Sequence, residues 1–149
     1  MALNWPNLGP GDVASYQLSG VPFVTASVAN EVGDTPIRVK FPGVTRFITI
    51  YNPDASHDLR VGFSENGVKG EGASVSGSAY DQRAHHRNYF VIDATKTSPR
   101  LEIRCKEIFF TKDGAGGTEA SFAIVAGITP IKNSNFPALT GSEGYLGIG

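Results

Sequence analysis

Glycine and proline recur throughout this chain, which limits it to short helices and strands. The 18 glycines and 9 prolines are spread through all 149 residues rather than pooled in one linker. Both residue types are unfavourable inside a helix. Apolar residues nowhere recur at helical spacing for three turns, whereas period-two alternation recurs repeatedly. The sequence therefore predicts an all-β protein.

The alternating segments predict about eight short strands. They cover residues 21–28, 37–41, 44–52, 59–63, 88–93, 100–110 and 119–128, with a weak one at 73–79. Segment 44–52 is apolar on both faces beyond Arg46, which places it in the middle of a sheet. Eight strands match the number in a jelly roll. We expect a single jelly-roll β-sandwich of antiparallel strands, and the pattern leaves their connectivity open.

The length and the 40% hydrophobic content suit one domain over residues 1–149. Within it we expect an extended N-terminal arm at residues 1–20, a jelly-roll core at 21–128 and a Gly-rich C-terminal tail at 129–149. We expect the loops at 65–87 and 112–118 to share one end of the sandwich.

Three local patterns make sharper predictions. In residues 100–110, the clearest predicted strand, Leu101, Ile103 and Cys105 point one way, and the alternation breaks at Glu107-Ile108 as at a β-bulge. Glu65-Asn66-Gly67 predicts a turn that needs positive φ. Cys105, the single cysteine, is predicted to be a buried thiol.

Charge gives no argument for nucleic acid or membrane as a partner. Lys and Arg total 13 against 14 for Asp and Glu, and no long run of either sign occurs. No apolar run approaches the roughly 20 residues of a membrane-spanning helix. The start of the chain has no secretory-signal pattern, so we expect synthesis in a reducing cytosol. Near-neutral charge permits close packing of copies of the chain.

The histidines do not make a metal site by their spacing. His85 and His86 are adjacent, so on a strand they point to opposite faces, and Arg83 and Arg87 beside them repel a cation. The same stretch lies near aromatic residues, as in some single-strand nucleic-acid surfaces, but those aromatics suit the core better. We expect no metal ligand and no direct nucleic-acid contact.

No pattern of catalytic residues stands out. No Gly-x-Ser-x-Gly elbow occurs, and the glycine-rich run at 114–118 lacks the lysine of a phosphate loop and lies between two strands. We assign no catalytic and no cofactor-binding residue, and we expect that the chain is not an enzyme.

The arm and the tail carry isolated large apolar groups among prolines and glycines. Trp5 and Tyr16 in the arm, with Phe136 and Tyr145 in the tail, are our candidates for subunit-interface anchors, because buried aromatics dominate interface energies. The alternative, that both segments wrap the chain's own sandwich, carries equal weight.

Several short sequence segments resemble those of a known protein family. They include Asn4-Trp5-Pro6, Gly9-Pro10-Gly11, Leu59-Arg60-Val61-Gly62-Phe63, Asn88-Tyr89-Phe90-Val91 and Asn135-Phe136-Pro137. In these the chain resembles the small single jelly-roll capsid proteins of nucleocytoplasmic large DNA viruses, which serve as penton or minor capsid components. The resemblance spans nearly the whole chain, but it rests on short segments and general sequence character rather than on a catalytic motif.

The resemblance implies a structural virion protein without catalytic residues. Five copies would close a ring at each icosahedral vertex, with the major capsid protein and other minor capsid proteins as partners. The protein would be made in the host cytoplasm and reside in the virion capsid. If the arm holds the ring together, removal of residues 1–20 abolishes it.

A second class of function stays open. Jelly rolls also host carbohydrate-binding and other ligand-binding modules, including lectin-like or virion surface attachment proteins. Such a site needs an exposed aromatic near carboxylates and amides, which Tyr80, Asp81 and Asn88 supply weakly. A cupin-type enzyme ranks third, since the chain lacks a spaced His/Glu ligand set.

Overall fold

A computed structural model describes residues 20–27, 32–69, 88–114, 120–137 and 148. Within these ranges the chain forms seven strands, one short α-helix and one 3-10 helix. The strands are β1 (Val21–Ala26), β2 (Ile37–Lys40), β3 (Thr45–Tyr51), β4 (Leu59–Gly62), β5 (Tyr89–Ile92), β6 (Glu107–Lys112) and β7 (Ala123–Ile128). Helix α1 spans Glu65–Lys69, and the 3-10 helix spans Asn133–Asn135.

The strands form two antiparallel sheets, which confirms the predicted all-β sandwich. One sheet has the order β1-β7-β3, and the other has the order β2-β6-β4-β5. Sequence neighbours such as β1 and β2 therefore lie in different sheets, and the chain crosses between sheets repeatedly.

The hydrophobic core lies between the sheets and draws on both. Ile48 and Ile124 of the first sheet and Val61 and Phe110 of the second are fully buried in one cluster. Phe110 stacks on Phe122 with ring centroids 4.3 Å apart. Full burial of a large apolar side chain stabilises a fold by about 1.5–3 kcal/mol, so this cluster holds the two sheets together.

Most predicted strands are confirmed within one to four residues at their ends. The predicted central position of β3 is also supported, because β7 pairs with one side of it and isolated bridges flank the other. The bridges join Ile48 to Leu101 and Tyr51 to Thr97.

The prediction of one strand over residues 100–110 is wrong. Leu101 bridges to β3 in the first sheet, residues 102–106 form no strand, and β6 begins at Glu107 in the second sheet. The break in alternation at 107–108 thus marks a crossing between sheets rather than a bulge. The Thr45 hydroxyl stabilises the crossing, since it donates to the Ile103 carbonyl (2.8 Å) and accepts from the Cys105 N–H (2.9 Å).

The predicted positive-φ turn at Glu65-Asn66-Gly67 is also wrong, because these residues form the first turn of α1. The Ser64 hydroxyl caps the helix by accepting the Gly67 N–H at 2.9 Å. Lys69 Nζ lies 3.0 Å from a carboxylate oxygen of Glu65, one turn away. The Ser-Glu pair and the Glu–Lys spacing were the sequence signals for a helix.

The loops after β4 and β6 leave from opposite ends of the sandwich, so the prediction of a shared end is wrong. The two strands are antiparallel neighbours, with Leu59 opposite Lys112 and Gly62 opposite Phe109. The last residue of one strand therefore lies near the first residues of the other. The predicted weak strand at 73–79 and most of both loops lie outside the described residues.

Candidate interaction surfaces

The outer face of the first sheet is the most distinctive surface in the described part of the chain. We call it the bare face. Strand register aligns its nine positions in three rows: Pro22, Gly127 and Phe47; Val24, Val125 and Thr49; Ala26, Ala123 and Tyr51. None of the nine residues is charged.

The middle of the bare face is open to solvent. Val24 is 70% exposed, Val125 is 48% exposed and Tyr51 is 41% exposed. Residues between them along the same strands, such as Ile124 and Ile50, point inward and are fully buried. A contiguous apolar face of this kind is typical of a surface that binds another protein.

One end of the bare face is closed by an aromatic ring. The Phe47 ring lies over Gly127 so tightly that a Cβ at Gly127 would overlap it. The Arg100 guanidinium lies over the same ring, 4.0 Å from its centroid, and forms an ion pair with Glu102 at 2.6 Å. Phe47 is thus half-buried, and the exposed apolar surface is concentrated in the other two rows.

The outer face of the second sheet is built differently, and we call it the covered face. Helix α1 packs across β4 and β6, and its Val68 is fully buried. A Cβ at Gly62 would lie 3.0 Å from the Val68 Cβ, so the helix sits directly on the strand. Arg60 forms an ion pair with Asp113 at 2.5 Å and lies over the Tyr89 ring.

Polar groups at the loops after β3 and β5 bond to one another. The buried Asn52 amide donates to the carbonyls of His57 (2.9 Å) and Ile92 (3.1 Å). The Asp54 carboxylate accepts N–H groups from Ser56 (2.7 Å) and His57 (2.8 Å). The hydrogen bond from the Ser56 N–H holds the pKa of Asp54 below its ordinary value, with His57 adding to the effect against desolvation. These groups organise the loops.

A residue of the tail contacts the chain's own sandwich. The Ser64 hydroxyl donates to the Ile148 carbonyl, and Ile148 lines a cleft of about 180 Å³ with Phe63, Ile103 and Cys105. At this one point the tail wraps its own subunit, which was the alternative to docking on a neighbour.

Of the four predicted interface anchors, the structure describes Phe136. Trp5, Tyr16 and Tyr145 lie outside the described residues. Phe136 is half-buried just after the 3-10 helix, and it is not part of the bare face. Sequence reasoning also missed the bare face, although the signal was present: β1 and β7 carry apolar residues at both alternating positions.

The other residues considered for chemistry are placed as follows. Cys105 is buried, as predicted, and burial raises the pKa of its thiol to about 11. His85, His86, Tyr80 and Asp81 lie outside the described residues, and Asn88 is half-buried. Within the described ranges, no three His, Cys, Asp or Glu residues are placed to hold a metal ion.

Comparison with known proteins adds no relative. No family model, curated protein or solved structure matches the chain significantly. Among the described residues, no helix is long and apolar enough to span a membrane. The class of protein that the structure itself defines is an antiparallel two-sheet β-sandwich in which the outer face of one sheet is uncharged along β1 and β7.

Proposed function

We propose that this protein is a structural capsid subunit of a large icosahedral DNA virus, acting as a penton that assembles into a homopentamer. The observation that carries the proposal is the bare face, an uncharged sheet surface with two valines about half or more exposed. Water contact with such a surface is unfavourable, and association with another subunit removes it.

The strand order supports a jelly roll. If the segment bridging β3 at Thr97 and Leu101 is counted as a sixth strand, the sandwich has eight. The first sheet then has the order first, eighth, third, sixth, and the second has second, seventh, fourth, fifth. Both sheets then mix strands from the two halves of the chain, as the paired Greek keys of a jelly roll do.

An apolar outer face on only one side of the sandwich suits a ring. A ring of five is closed by heterologous contacts, in which each subunit offers two different surfaces to its two neighbours. The bare face is one such surface, whereas the covered face carries Arg38, Lys40 and the Arg60–Asp113 pair and has no part in the proposed contact. The major capsid protein and other minor capsid proteins are the further partners in this proposal, with the virion as its location.

The test is the native mass of the protein by analytical ultracentrifugation across a range of concentrations. We expect the wild type to form a pentamer and Val24→Asp to stay monomeric, because the carboxylate would be desolvated in the contact. The matched control is Val91→Asp, which puts the same group on an exposed position (38%) of β5 in the other sheet. We expect it to assemble like the wild type.

A wild-type protein that stays monomeric at every concentration contradicts self-assembly. Equal loss of assembly in both variants contradicts the role of the bare face, since a general effect of the added charge then explains the result.

A further inference from the structure

We propose that residues 1–19 of the N-terminal arm of a neighbouring subunit lie across the bare face. The inference rests on the proposed assembly and names the segment that occupies the surface. It joins a sheet face whose middle is open to solvent in the subunit with an aromatic-bearing arm that precedes β1 of the same sheet.

The chemistry of the two surfaces matches. The arm contains one charged residue, Asp12, in 19 positions. Its large apolar residues are Met1, Leu3, Trp5, Leu8, Val13, Tyr16 and Leu18. The Arg100–Glu102 ion pair lies at the Phe47 end of the bare face, and the rows of Val24 and Ala26 contain no charged residue. A partner rich in ions would be desolvated over those two rows without compensation. An almost uncharged segment with spaced apolar groups avoids that cost.

The length of the arm is sufficient. Nineteen extended residues reach at most about 68 Å. The bare face spans three strands, about 10 Å across, and six residues along each strand, about 20 Å. The arm therefore exceeds the face in both directions and has enough chain left to bridge from one subunit to the next.

Exposure within the subunit favours the arm of a neighbour as the occupant. Val24 is 70% exposed and Val125 is 48% exposed in the single subunit, so a contact with another subunit is what would cover them.

The bare face of a second copy is a poorer occupant. Two identical faces in contact make an isologous interface, which closes as a dimer and leaves no surface for a third subunit. An arm that reaches forward makes a heterologous contact, and this repeats around a ring.

Trp5 gives a direct test, because it is the only tryptophan of the chain and lies in the arm. Its fluorescence and its quenching by iodide are followed in the full-length protein, with native mass measured on the same samples. We expect Trp5 emission to be blue-shifted and protected only at concentrations where the protein is assembled. Val125→Asp, in the middle of the bare face, should red-shift the emission and remove the protection. Val91→Asp should leave both unchanged.

Each outcome is informative. Protection of Trp5 in the monomer, unaffected by dilution, overturns the exchange between subunits. Assembled wild-type protein with a fully quenchable Trp5 overturns the inference while the proposed function stands. Protein that never assembles contradicts the proposed function instead. Val125→Asp protein that assembles with a protected Trp5 shows that the arm lies elsewhere.

Discussion

The two outer faces of the sandwich start from the same strand alternation and end in different states. On the covered face, helix α1 places Val68 over Gly62 and buries it completely. On the bare face, Val24 and Val125 remain 70% and 48% exposed. The difference lies in the connection after β4, which folds back over its own sheet. An apolar outer position is therefore structural on one side and available for binding on the other.

The largest expected effect comes from replacing one valine on each face with alanine. Val68→Ala should lower the free energy of unfolding by about 2–3 kcal/mol, because it removes fully buried methyl groups and leaves a cavity. Val125→Ala, in the half-exposed position, should change it by less than about 0.5 kcal/mol. Urea denaturation under conditions where the protein is monomeric measures both. Equal losses would mean that the bare face is packed within the subunit.

A smaller difference in stability is expected between alanine substitutions at Gly62 and Gly127, two glycines that lie beneath side chains. At Gly62 an added Cβ meets the Val68 backbone, with Cα at 3.2 Å, and α1 is held in place. Gly62→Ala should therefore destabilise the fold by about 1 kcal/mol. Gly127→Ala makes a closer contact, but only with the rim of the Phe47 ring, which can swing outward.

We expect Gly127→Ala to leave the thermal denaturation midpoint nearly unchanged. Alanine loses less conformational entropy than glycine on folding, and this gain offsets the cost of moving the Phe47 ring. A larger loss for Gly127→Ala than for Gly62→Ala would show that Phe47 is fixed rather than free to move.

The smallest expected effect is a pH dependence of stability that substitutions on the bare face and the covered face should leave unchanged. The depressed pKa of Asp54 means that its carboxylate stabilises the fold above its ordinary pKa of 3.8. That contribution is lost as the pH falls through the lower folded-state value. Asp54→Ala should cost about 0.5 kcal/mol at neutral pH and show a shallower decline in acid. Chemical denaturation from pH 7 to pH 3 tests this, with Val125→Ala expected to follow the wild-type slope.

The sequence was sufficient for strands whose periodicity reflects one buried face. In β2, Ile37 and Val39 pack toward the core while Arg38 and Lys40 are exposed, as the alternation predicts. The prediction of one strand over residues 100–110 failed because alternation indicates which side of the local backbone is buried. It does not indicate which sheet the strand joins. Both halves of that segment bury one side, so the crossing near Lys106 shows only as a change of phase.

The bare face was harder to predict for a related reason. An apolar residue on both sides of a strand has the same pattern whether the second side is covered by the chain or by a partner. Val24 and Val125 look in sequence like residues of a fully buried strand. Only the three-dimensional arrangement shows that α1 lies over the other sheet.

The position of β7 in the first sheet affects when the bare face comes into existence during synthesis. β7 is the central strand, and β1 and β3 contact each other only through it. It ends at Ile128, so a ribosome must synthesise the chain through residue 128 before the three strands can join. Nascent chains that carry β1 and β3 alone therefore do not yet present the surface. Premature association of incomplete subunits is thereby limited by the order in which the strands emerge.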